Sequence, residues 1–241
     1  MKQLMFKIKE NIALTESVYK MTLSGDTEGI KCGQFVNILL DGLYLRRPIS
    51  VCDCADGELT IIYKVVGDGT EKMSEMTEGE LDILTELGNG YDISKSGDKP
   101  LLLGGGVGVP PLYMLAKKLI SEGKRVAVVL GFNTKDEIFY EDEFKKLGAE
   151  VYVTTVDGSY GTKGFVTDVM KDLSYSYFYT CGPEPMLKAI YEVSNTSGQL
   201  SFEERMGCGF GACMGCSCKT KYGNKRICKD GPVLEKEEII W

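Results

Sequence analysis

The first 97 residues consist of short runs in which apolar and polar positions alternate, separated by Gly, Asp and Asn. Runs of this kind are typical of half-buried β-strands, and the residues between them are typical of turns. Six runs at this spacing predict a small β-barrel over residues 1–97. The runs are MFKIKENIAL, YKMTLSG, GQFVNILL, RRPISVCD, ELTIIYKVVG and GELDILTEL.

From Lys99 the pattern changes to strands that are followed by helices. KPLLLGGG is a continuous apolar run that enters glycines, and PPLYMLAKKLISEG has helical spacing with Pro at its start and Gly at its end. This alternation predicts a Rossmann-like α/β domain over residues 98–199, with a parallel sheet and helices on both faces. The further segments are RVAVVLGFN, DEIFYEDEFKKLG, AEVYVTTVD, GFVTDVMKDL, SYFYTCGP and EPMLKAIYEVSN.

Residues 200–241 form a third segment, which is rich in glycine and cysteine. A segment of this length is too small to hold a hydrophobic core without a staple. It carries five of the nine cysteines, and four of them follow the spacing C-x4-C-x2-C-x11-C. That spacing is typical of the two-iron, two-sulfur cluster of plant-type ferredoxins. The predicted ligands are Cys208, Cys213, Cys216 and Cys228.

Glycines between these cysteines support the same prediction. Gly207, Gly209, Gly211 and Gly215 permit positive φ angles, which allow the backbone to turn its N–H groups toward sulfur. Cys218 lies two residues after Cys216; we expect it to point away from a shared centre in an extended segment, and therefore treat it as a non-ligand. A zinc ribbon or a disulfide staple remains an alternative, although structural zinc more often pairs two CxxC knuckles and only one is present here.

Charge and composition exclude several classes of function. The chain carries 28 basic and 35 acidic residues, a net charge of −7, so it lacks the positive surface that nucleic-acid binding requires. It contains no histidine, which excludes Ser-His-Asp and Cys-His triads and every histidine-ligated metal site. No run approaches the roughly 20 apolar residues of a membrane span, and the amino terminus does not resemble a signal peptide. We therefore expect a cytoplasmic protein that binds neither nucleic acid nor membrane.

The α/β domain contains a candidate nucleotide site. Four glycines stand where the first strand meets the first helix, so that N–H groups at the helix start can face a pyrophosphate: Gly104, Gly105, Gly106 and Gly108. Cys181 ends a later strand of the same sheet and is expected to line the nicotinamide side of the crevice. The glycines also suit an ordinary strand-to-helix turn, and Cys181 also suits a buried core position.

The barrel contains two candidate phosphate sites. Arg47 stands directly before Pro48, Ile49 and Ser50; arginine pairs bidentately with phosphate oxygens, and serine offers one short hydrogen bond. Farther along, Gly69 and Thr70 lead into a predicted short helix and offer backbone and hydroxyl donors. Considered singly, each of these features also fits a surface charge or a turn.

In this order, the motifs make the whole chain resemble the ferredoxin-reductase superfamily of flavoproteins. Arg47-Pro48-Ile49-Ser50 matches the flavin motif of that superfamily, Gly104 to Pro111 the nucleotide loop, and Cys181-Gly182-Pro183 the motif near the nicotinamide. Within the superfamily, the chain is most similar to the electron-transfer subunits of two-subunit, NAD-dependent dihydroorotate dehydrogenases. Those subunits carry the same cysteine pattern in a carboxy-terminal segment, followed by a Gly-Pro-Val ending that matches Gly231-Pro232-Val233.

The resemblance implies three cofactors, FAD, a 2Fe–2S cluster and NAD, and a role for each matching residue. It implies that Arg47 holds the FAD pyrophosphate and that Ser50 bonds the isoalloxazine near its reactive nitrogen, which makes Ser50 and Cys181 the catalytic candidates. It also implies that Ile62, Tyr63 and Lys64 run along the flavin, and that Gly69 and Thr70 donate to the phosphates. The acidic pair Asp136 and Glu137 favours NAD over NADP, although Lys135 tolerates a 2′-phosphate.

The resemblance further implies an obligate partner. In the family, an FMN-containing catalytic subunit oxidises dihydroorotate, and electrons then pass through the cluster and FAD to NAD⁺; we expect a heterotetramer with two copies of each subunit. Once the two nucleotide-binding modules are assigned, only residues 200–241 remain, which are too few for a substrate barrel. The alternatives are a reductase subunit of a ferredoxin-dependent transhydrogenase or sulfite reductase, and a zinc-stapled binding protein without flavin.

Overall fold

The first part of the chain forms a closed barrel of six antiparallel strands, as the alternation predicts. The computed structural model describes all residues from Met1 to Trp241. The strands follow each other around the barrel in the order β1-β2-β5-β4-β3-β6. Their bounds are β1 Lys2–Ala13, β2 Val18–Ser24, β3 Phe35–Ile38, β4 Arg47–Ala55, β5 Glu58–Lys64 and β6 Glu80–Leu87, and one helix, α1 Asp68–Ser74, connects β5 to β6.

The barrel closes because one residue in two along each strand is apolar and points inward. The interior is filled by side chains such as Phe6, Met21, Val36, Ile61 and Ile83, all of which are fully buried. No helix in the chain is long and apolar enough to cross a membrane.

The second part forms a mainly parallel sheet with helices on both faces. The sheet order is β10-β9-β8-β7-β11-β12-β15, and only β15 is antiparallel to its neighbour. The helices α2 and α3 pack on one face, and α4 and α5 pack on the other. The bounds are β7 Pro100–Gly105, α2 Pro111–Ser121, β8 Ala127–Phe132, α3 Glu141–Lys146, β9 Glu150–Thr155, β10 Thr162–Lys163, α4 Val166–Met170, β11 Tyr177–Cys181, α5 Glu184–Val193, β12 Gly198–Ser201 and β15 Val233–Glu235.

The segment DEIFYEDEFKKLG differs from the single helix that its spacing suggests. A short 3₁₀ turn at Lys135–Glu137 ends before Ile138, and α3 begins only after Tyr140, whose φ is +68°. The chain between them is extended because the side chain of Phe139 is buried against Phe132, with ring centroids 5.4 Å apart. Tertiary packing therefore overrides the local helical pattern here.

The cysteine-rich segment shares a core with the α/β sheet. It forms a hairpin of β13 Ser217–Thr220 and β14 Gly223–Arg226, then α6 Ile227–Asp230, and returns to the sheet as β15. Ile227 and Leu234 pack with Leu101 and Phe178 of the sheet. The predicted boundary at residue 199 lies inside β12, which extends to Ser201. The segment thus gains from its neighbour the apolar surface that it is too short to provide alone.

Candidate functional site

One cleft of about 1970 Å³ lies where the barrel, the α/β sheet and the cysteine-rich segment meet. Twelve of the fourteen predicted catalytic and cofactor-binding residues border it: Arg47, Pro48, Ile49, Ser50, Ile62, Tyr63, Lys64, Thr70, Gly105, Gly106, Gly108 and Cys181. Gly69, Gly104 and the four predicted cysteine ligands do not border it. The carboxyl ends of parallel strands open into this cleft, which is the usual place for a nucleotide in an open α/β sheet.

Arg47 and Gly69 depend on each other. The guanidinium of Arg47 lies against the Cα of Gly69, and a Cβ added there would overlap Nε and lie 2.7 Å from Cζ of Arg47. The Arg47 Nη1 also donates to the carbonyl oxygen of Leu45. Only glycine allows the arginine to lie across the start of α1, so the role of Gly69 is to admit the Arg47 side chain.

Thr70 shapes the loop before α1 through its hydroxyl. Its Oγ1 accepts from the backbone N–H of Val66 at 2.9 Å and donates to the carbonyl oxygen of Gly67 at 3.0 Å. The hydroxyl proton is therefore engaged within the loop and not directed at the cleft. In this geometry the side chain fixes the loop beside Arg47.

Adjacent residues of β5 face opposite sides of the barrel wall. Ile62 points outward into the core that the barrel shares with the α/β domain, whereas the Tyr63 ring lies in the barrel core, stacked on Tyr19 at 6.0 Å. The Tyr63 hydroxyl donates to Oδ1 of Asn11 at 3.0 Å, and burial raises the pKa of the phenol to about 12. Tyr63 thus supports the wall of the cleft from inside, while Ile62 faces the α/β domain.

Three of the four glycines of the nucleotide loop differ in what surrounds them. A Cβ on Gly104 would lie 2.9 Å from Cγ2 of Val109, so this glycine allows β7 to pack closely against the following turn. Gly106 has φ +52° with open space around it. A Cβ on Gly108 would overlap the carbonyl oxygen of Cys181, so the loop touches the end of β11 directly. The close approach of these two segments makes the glycine necessary at position 108.

Cys181 is a neutral thiol at the carboxyl end of β11. Its neighbours across the sheet are Gly104 on β7 and Ser201 on β12. Burial raises the pKa of the thiol to about 12, and a hydrogen bond with Ser201 offsets only part of that rise. The side chain therefore presents an uncharged sulfur beside the cleft at neutral pH, as suits the neighbourhood of a nicotinamide ring.

The four predicted cysteine ligands come together as two pairs. In the first pair, the backbone N–H groups of Ala212 and Cys213 donate to Sγ of Cys208 at 3.2 and 3.4 Å. Burial opposes ionisation of Cys208, but these N–H groups and that of Phe210 outweigh it and lower the pKa of the thiol to about 6. In the second pair, the N–H of Cys228 donates to Sγ of Cys216 at 3.4 Å.

The structure does not bring the four predicted ligands around one point. No three or more Cys, His, Asp or Glu side chains in the chain converge as the ligands of a single ion. Gly209 and Gly211 have the positive φ angles expected, +79° and +91°, whereas Gly207 and Gly215 do not. A Cβ on Gly207 or Gly215 would be in ordinary contact with Sγ of Cys213, at 3.4 or 3.5 Å. All nine cysteines are free in this structure.

Cys218 stands apart from the pairs, but not for the reason inferred from the sequence. Residues two apart in a strand share a face, so extension alone would not separate Cys218 from Cys216. The separation arises because Cys216 precedes β13 in a turn that is closed by the Ser217 N–H and the Met214 carbonyl at 3.3 Å. Cys218 lies within β13 and borders the cleft.

Sequence reasoning missed Tyr44 and Glu203, which border the cleft, and Asn37, which adjoins the cysteine loop, and it did not distinguish Glu137 from Asp136. Tyr44, which is 98% exposed, stands just before the flavin motif, and Glu203 follows β12 near Cys181. Glu137 was named only as half of an acidic pair, but it alone of that pair borders the cleft. Asn37 contacts the loop from the barrel. No local pattern marks such residues, because their proximity arises from packing between domains.

Comparison with known proteins gives two family matches. The iron-sulfur cluster binding domain of dihydroorotate dehydrogenase B matches residues 203–240, and the oxidoreductase NAD-binding domain matches residues 102–192. The electron transfer subunit of dihydroorotate dehydrogenase B (NAD⁺) from Fusobacterium nucleatum subsp. nucleatum is 48% identical, with 96% of each chain covered. The subunit of the same description from Geobacillus sp. is 44% identical and covers 100% of this chain and 99% of its own length.

The chain belongs to the family of dihydroorotate dehydrogenase B electron transfer subunits. It is therefore an oxidoreductase subunit, with the fold of the ferredoxin-reductase-like flavoproteins. A solved structure of an NADH-dependent reduced ferredoxin-NADP oxidoreductase, described for flavin-based electron bifurcation, superimposes with a TM-score of 0.90 at 32% identity. The match covers 98% of this chain and 90% of that one. Family membership confirms the resemblance stated from the motifs, and the barrel, parallel sheet and iron-sulfur domain confirm the predicted fold class.

Proposed function

We propose that this chain receives electrons from a separate FMN-containing subunit that oxidises dihydroorotate, and passes them through a 2Fe–2S cluster and FAD to NAD⁺. The single observation that carries the proposal is the cleft in which the flavin motif, the nucleotide loop and the cysteine-rich segment meet. The product of the whole complex would be orotate, on the route to pyrimidines. The unpaired cysteines suit a reducing cytoplasm.

The cysteine pairs support a two-iron cluster. Each iron of such a cluster takes two cysteine thiolates, and the structure offers Cys208 with Cys213 and Cys216 with Cys228. The backbone N–H groups of Ala212 and Cys213 already face Sγ of Cys208, and such donors stabilise the thiolate form that a metal requires. A single zinc ion would instead require all four sulfurs around one point.

The cleft residues support FAD on the barrel and NAD on the sheet. A flavin exchanges one or two electrons, and so it links a one-electron cluster to a two-electron nicotinamide. Arg47 would bind the FAD pyrophosphate as a planar fork, and Ser50 would bond the ring, since its side chain borders the cleft. Cys181 and the loop at Gly108 would hold the nicotinamide end of NAD from the opposite side.

Glu137 supports NAD rather than NADP. Its carboxylate accepts from the backbone N–H of Asn133 at 3.0 Å and from Nδ2 of Asn133 at 2.9 Å, just after β8. Glu137 is half-buried at the cleft, whereas Lys135 and Asp136 are exposed outside it. A fixed carboxylate after the second strand of such a sheet accepts from the ribose 2′-hydroxyl and repels a 2′-phosphate.

Glu137→Gln should therefore reduce the preference for NADH over NADPH about 10- to 100-fold, the range for a hydrogen bond that involves a charged group. The measurement is kcat/KM for each nucleotide with ferricyanide as electron acceptor. Asp136→Asn is the matched control, because it removes the same charge one residue away from the cleft and should leave the ratio unchanged. An unchanged ratio in Glu137→Gln would refute the assignment.

A partner subunit is supported by the relatives, which are described as electron transfer subunits of dihydroorotate dehydrogenase B. Exposed apolar side chains beside the cysteines, Phe210 and Met214, offer a surface for a partner. We propose a heterotetramer with two copies of each subunit.

An anaerobic titration tests the function as a whole. The chain, co-purified with its native partners, is titrated first with dihydroorotate and then with NAD⁺ while the visible spectrum is recorded. Flavin and iron-sulfur bands that bleach with dihydroorotate and recover with NAD⁺ would support the proposal. Full dihydroorotate:NAD turnover by the isolated chain would contradict the need for a partner, and a colourless protein would contradict the cofactors.

The same titration tests the second candidate, a reductase subunit of a ferredoxin-dependent transhydrogenase or a sulfite reductase. The transhydrogenase is favoured by the likeness, at 32% identity, to the ferredoxin-NADP oxidoreductase structure. Bands that bleach with NADH or NADPH but not with dihydroorotate would favour this second candidate. The likeness to relatives at 44–48% identity supports the dihydroorotate route more strongly.

A further inference from the structure

One buried amide joins the flavin-binding barrel to the cysteine loop. Asn37 on β3 is 1% exposed, and its Nδ2 donates to the carbonyl oxygen of Cys208 at 3.3 Å, across 171 residues of sequence. The next loop residue, Gly209, has φ +79°, and a Cβ there would overlap Nδ2 of Asn37. The loop backbone therefore packs directly on the amide, with no side chain between them.

The strand pattern aims Asn37 at the loop. Val36 and Ile38 point into the barrel core, so Phe35 and Asn37 point outward, and Phe35 packs in the core that contains Cys216 and Cys228. Asn37 pairs with Pro48 of the flavin motif on the adjacent strand β4. One side chain thus stands between the flavin-binding strand and the first predicted cluster ligand.

The backbone of Asn37 is itself held in place. Nη1 of Arg46 donates to the carbonyl oxygen of Asn37 at 3.3 Å and forms an ion pair with Asp82 at 2.9 Å. On the other side, Asn37 pairs with Leu84 of β6. Because Asn37 is fixed to both neighbouring strands, its side chain can hold a bound group at a fixed position relative to the barrel.

The other end of the amide has no partner. Oδ1 of Asn37 is buried and accepts no hydrogen bond in the chain. A buried acceptor without a donor is destabilising, and an apolar side chain would fill this face without that cost, as Phe35 does. The amide is thus not explained by packing, and the polar group it faces is the loop that carries Cys208.

We propose that Asn37 is a positioning residue that holds the Cys208 side of the cysteine loop at a set distance from the flavin motif. The inference deepens the proposed function and rests on it. Nδ2 anchors the loop through the Cys208 carbonyl. Because hydrogen bonds and dipoles near the sulfurs tune an iron-sulfur centre, the same amide also contributes to its reduction potential.

The first test uses the cluster-free full-length chain. Asn37→Leu keeps a similar volume without polar atoms, and Gln34→Leu is the matched control, because Gln34 is 6% exposed and donates to the Gly88 carbonyl at 2.9 Å, away from the loop. Amide hydrogen exchange in residues 207–213 should quicken about fivefold to tenfold in Asn37→Leu, the equivalent of one lost hydrogen bond. Exchange there equal to that of Gln34→Leu would overturn the anchor.

The second test uses the chain loaded with its cluster. Asn37→Leu should release iron to a chelator about tenfold faster, the effect of losing a group that supports a ligand. Asn37→Asp should shift the cluster potential measured by EPR-monitored titration, because it replaces the amide group that faces the Cys208 carbonyl. Flavin reduction by NADH should be unchanged in both variants, and Gln34→Leu should match the parent in iron release and cluster potential.

The two tests separate this inference from the proposed function. Iron release and potential that match the parent in both Asn37 variants would overturn the positioning role and leave the function intact. A chain that takes up no iron would overturn the function, and the exchange measurement would still decide whether Asn37 anchors the loop.

Discussion

Cys213→Ala should leave a protein that reduces its flavin with NADH but no longer passes electrons between the partner and NAD⁺. Cys213 is the exposed member of the first cysteine pair, so its loss removes a metal ligand without opening a cavity in the core. Cys216 and Cys228 are 2% and 1% exposed, and replacing either would disturb packing as well as ligation. The alanine variant therefore isolates the ligand role.

The expected loss in dihydroorotate:NAD turnover exceeds about 100-fold, the upper end for residues that merely support a metal ligand. The measurement combines iron content, the visible spectrum and turnover of the assembled complex. NADH:ferricyanide activity should remain near the parent value, because that route needs only the barrel and the α/β sheet.

Cys218→Ala is the matched control for this experiment. It removes a thiol from the same segment, five residues farther along, but from a side chain that belongs to β13 and to neither cysteine pair. Iron content and turnover should stay at the parent level. Iron lost from Cys218→Ala and retained in Cys213→Ala would show that the ligand set is misassigned.

Arg47→Ala should weaken FAD binding about 10- to 100-fold, which corresponds to about 1.5–3 kcal/mol for hydrogen bonds to a charged group. Arg47 borders the cleft and lies across Gly69 at the start of α1, a position from which a guanidinium can pair with two phosphate oxygens. The dissociation constant is measured by adding FAD to flavin-free protein and following the quenching of flavin fluorescence.

Two further variants test whether the loss of FAD affinity arises from the guanidinium of Arg47. Arg47→Lys keeps the charge but loses the planar fork, and its affinity should fall between those of the parent and Arg47→Ala. Arg125→Ala removes an exposed arginine just before β8, at the end of the sheet opposite the cleft, and should bind FAD as the parent does. Undiminished FAD binding by Arg47→Ala would exclude Arg47 as the phosphate ligand.

Local sequence patterns determined the architecture of this protein. Alternation with a period of two predicted all six barrel strands, and the change to strand-helix alternation at Lys99 predicted the parallel sheet. These elements can be predicted from the sequence because each strand or helix must turn its own apolar positions toward a core. The cysteine spacing is equally local, since the first three predicted ligands lie within nine residues of each other.

Tertiary structure decided which residues these elements contact. The break before α3 follows from the burial of Phe139 against Phe132, and the return of β15 to the sheet gives the cysteine segment its core. The two functions of the glycines also appear only in three dimensions: Gly69 admits Arg47, and Gly108 admits the backbone of Cys181. Sequence can mark such glycines but cannot tell what approaches them.

The contacts between domains were the least accessible to sequence reasoning. Asn37 and Cys208 are 171 residues apart. The strand pattern around Asn37 does not indicate a contact with Cys208, and the cysteine spacing does not indicate a contact with Asn37. Glu137 likewise differs from Asp136 in that the folded chain brings only Glu137 to the cleft. Apolar periodicity is set by a residue's own secondary structure, whereas these contacts are set by how complete domains pack against each other.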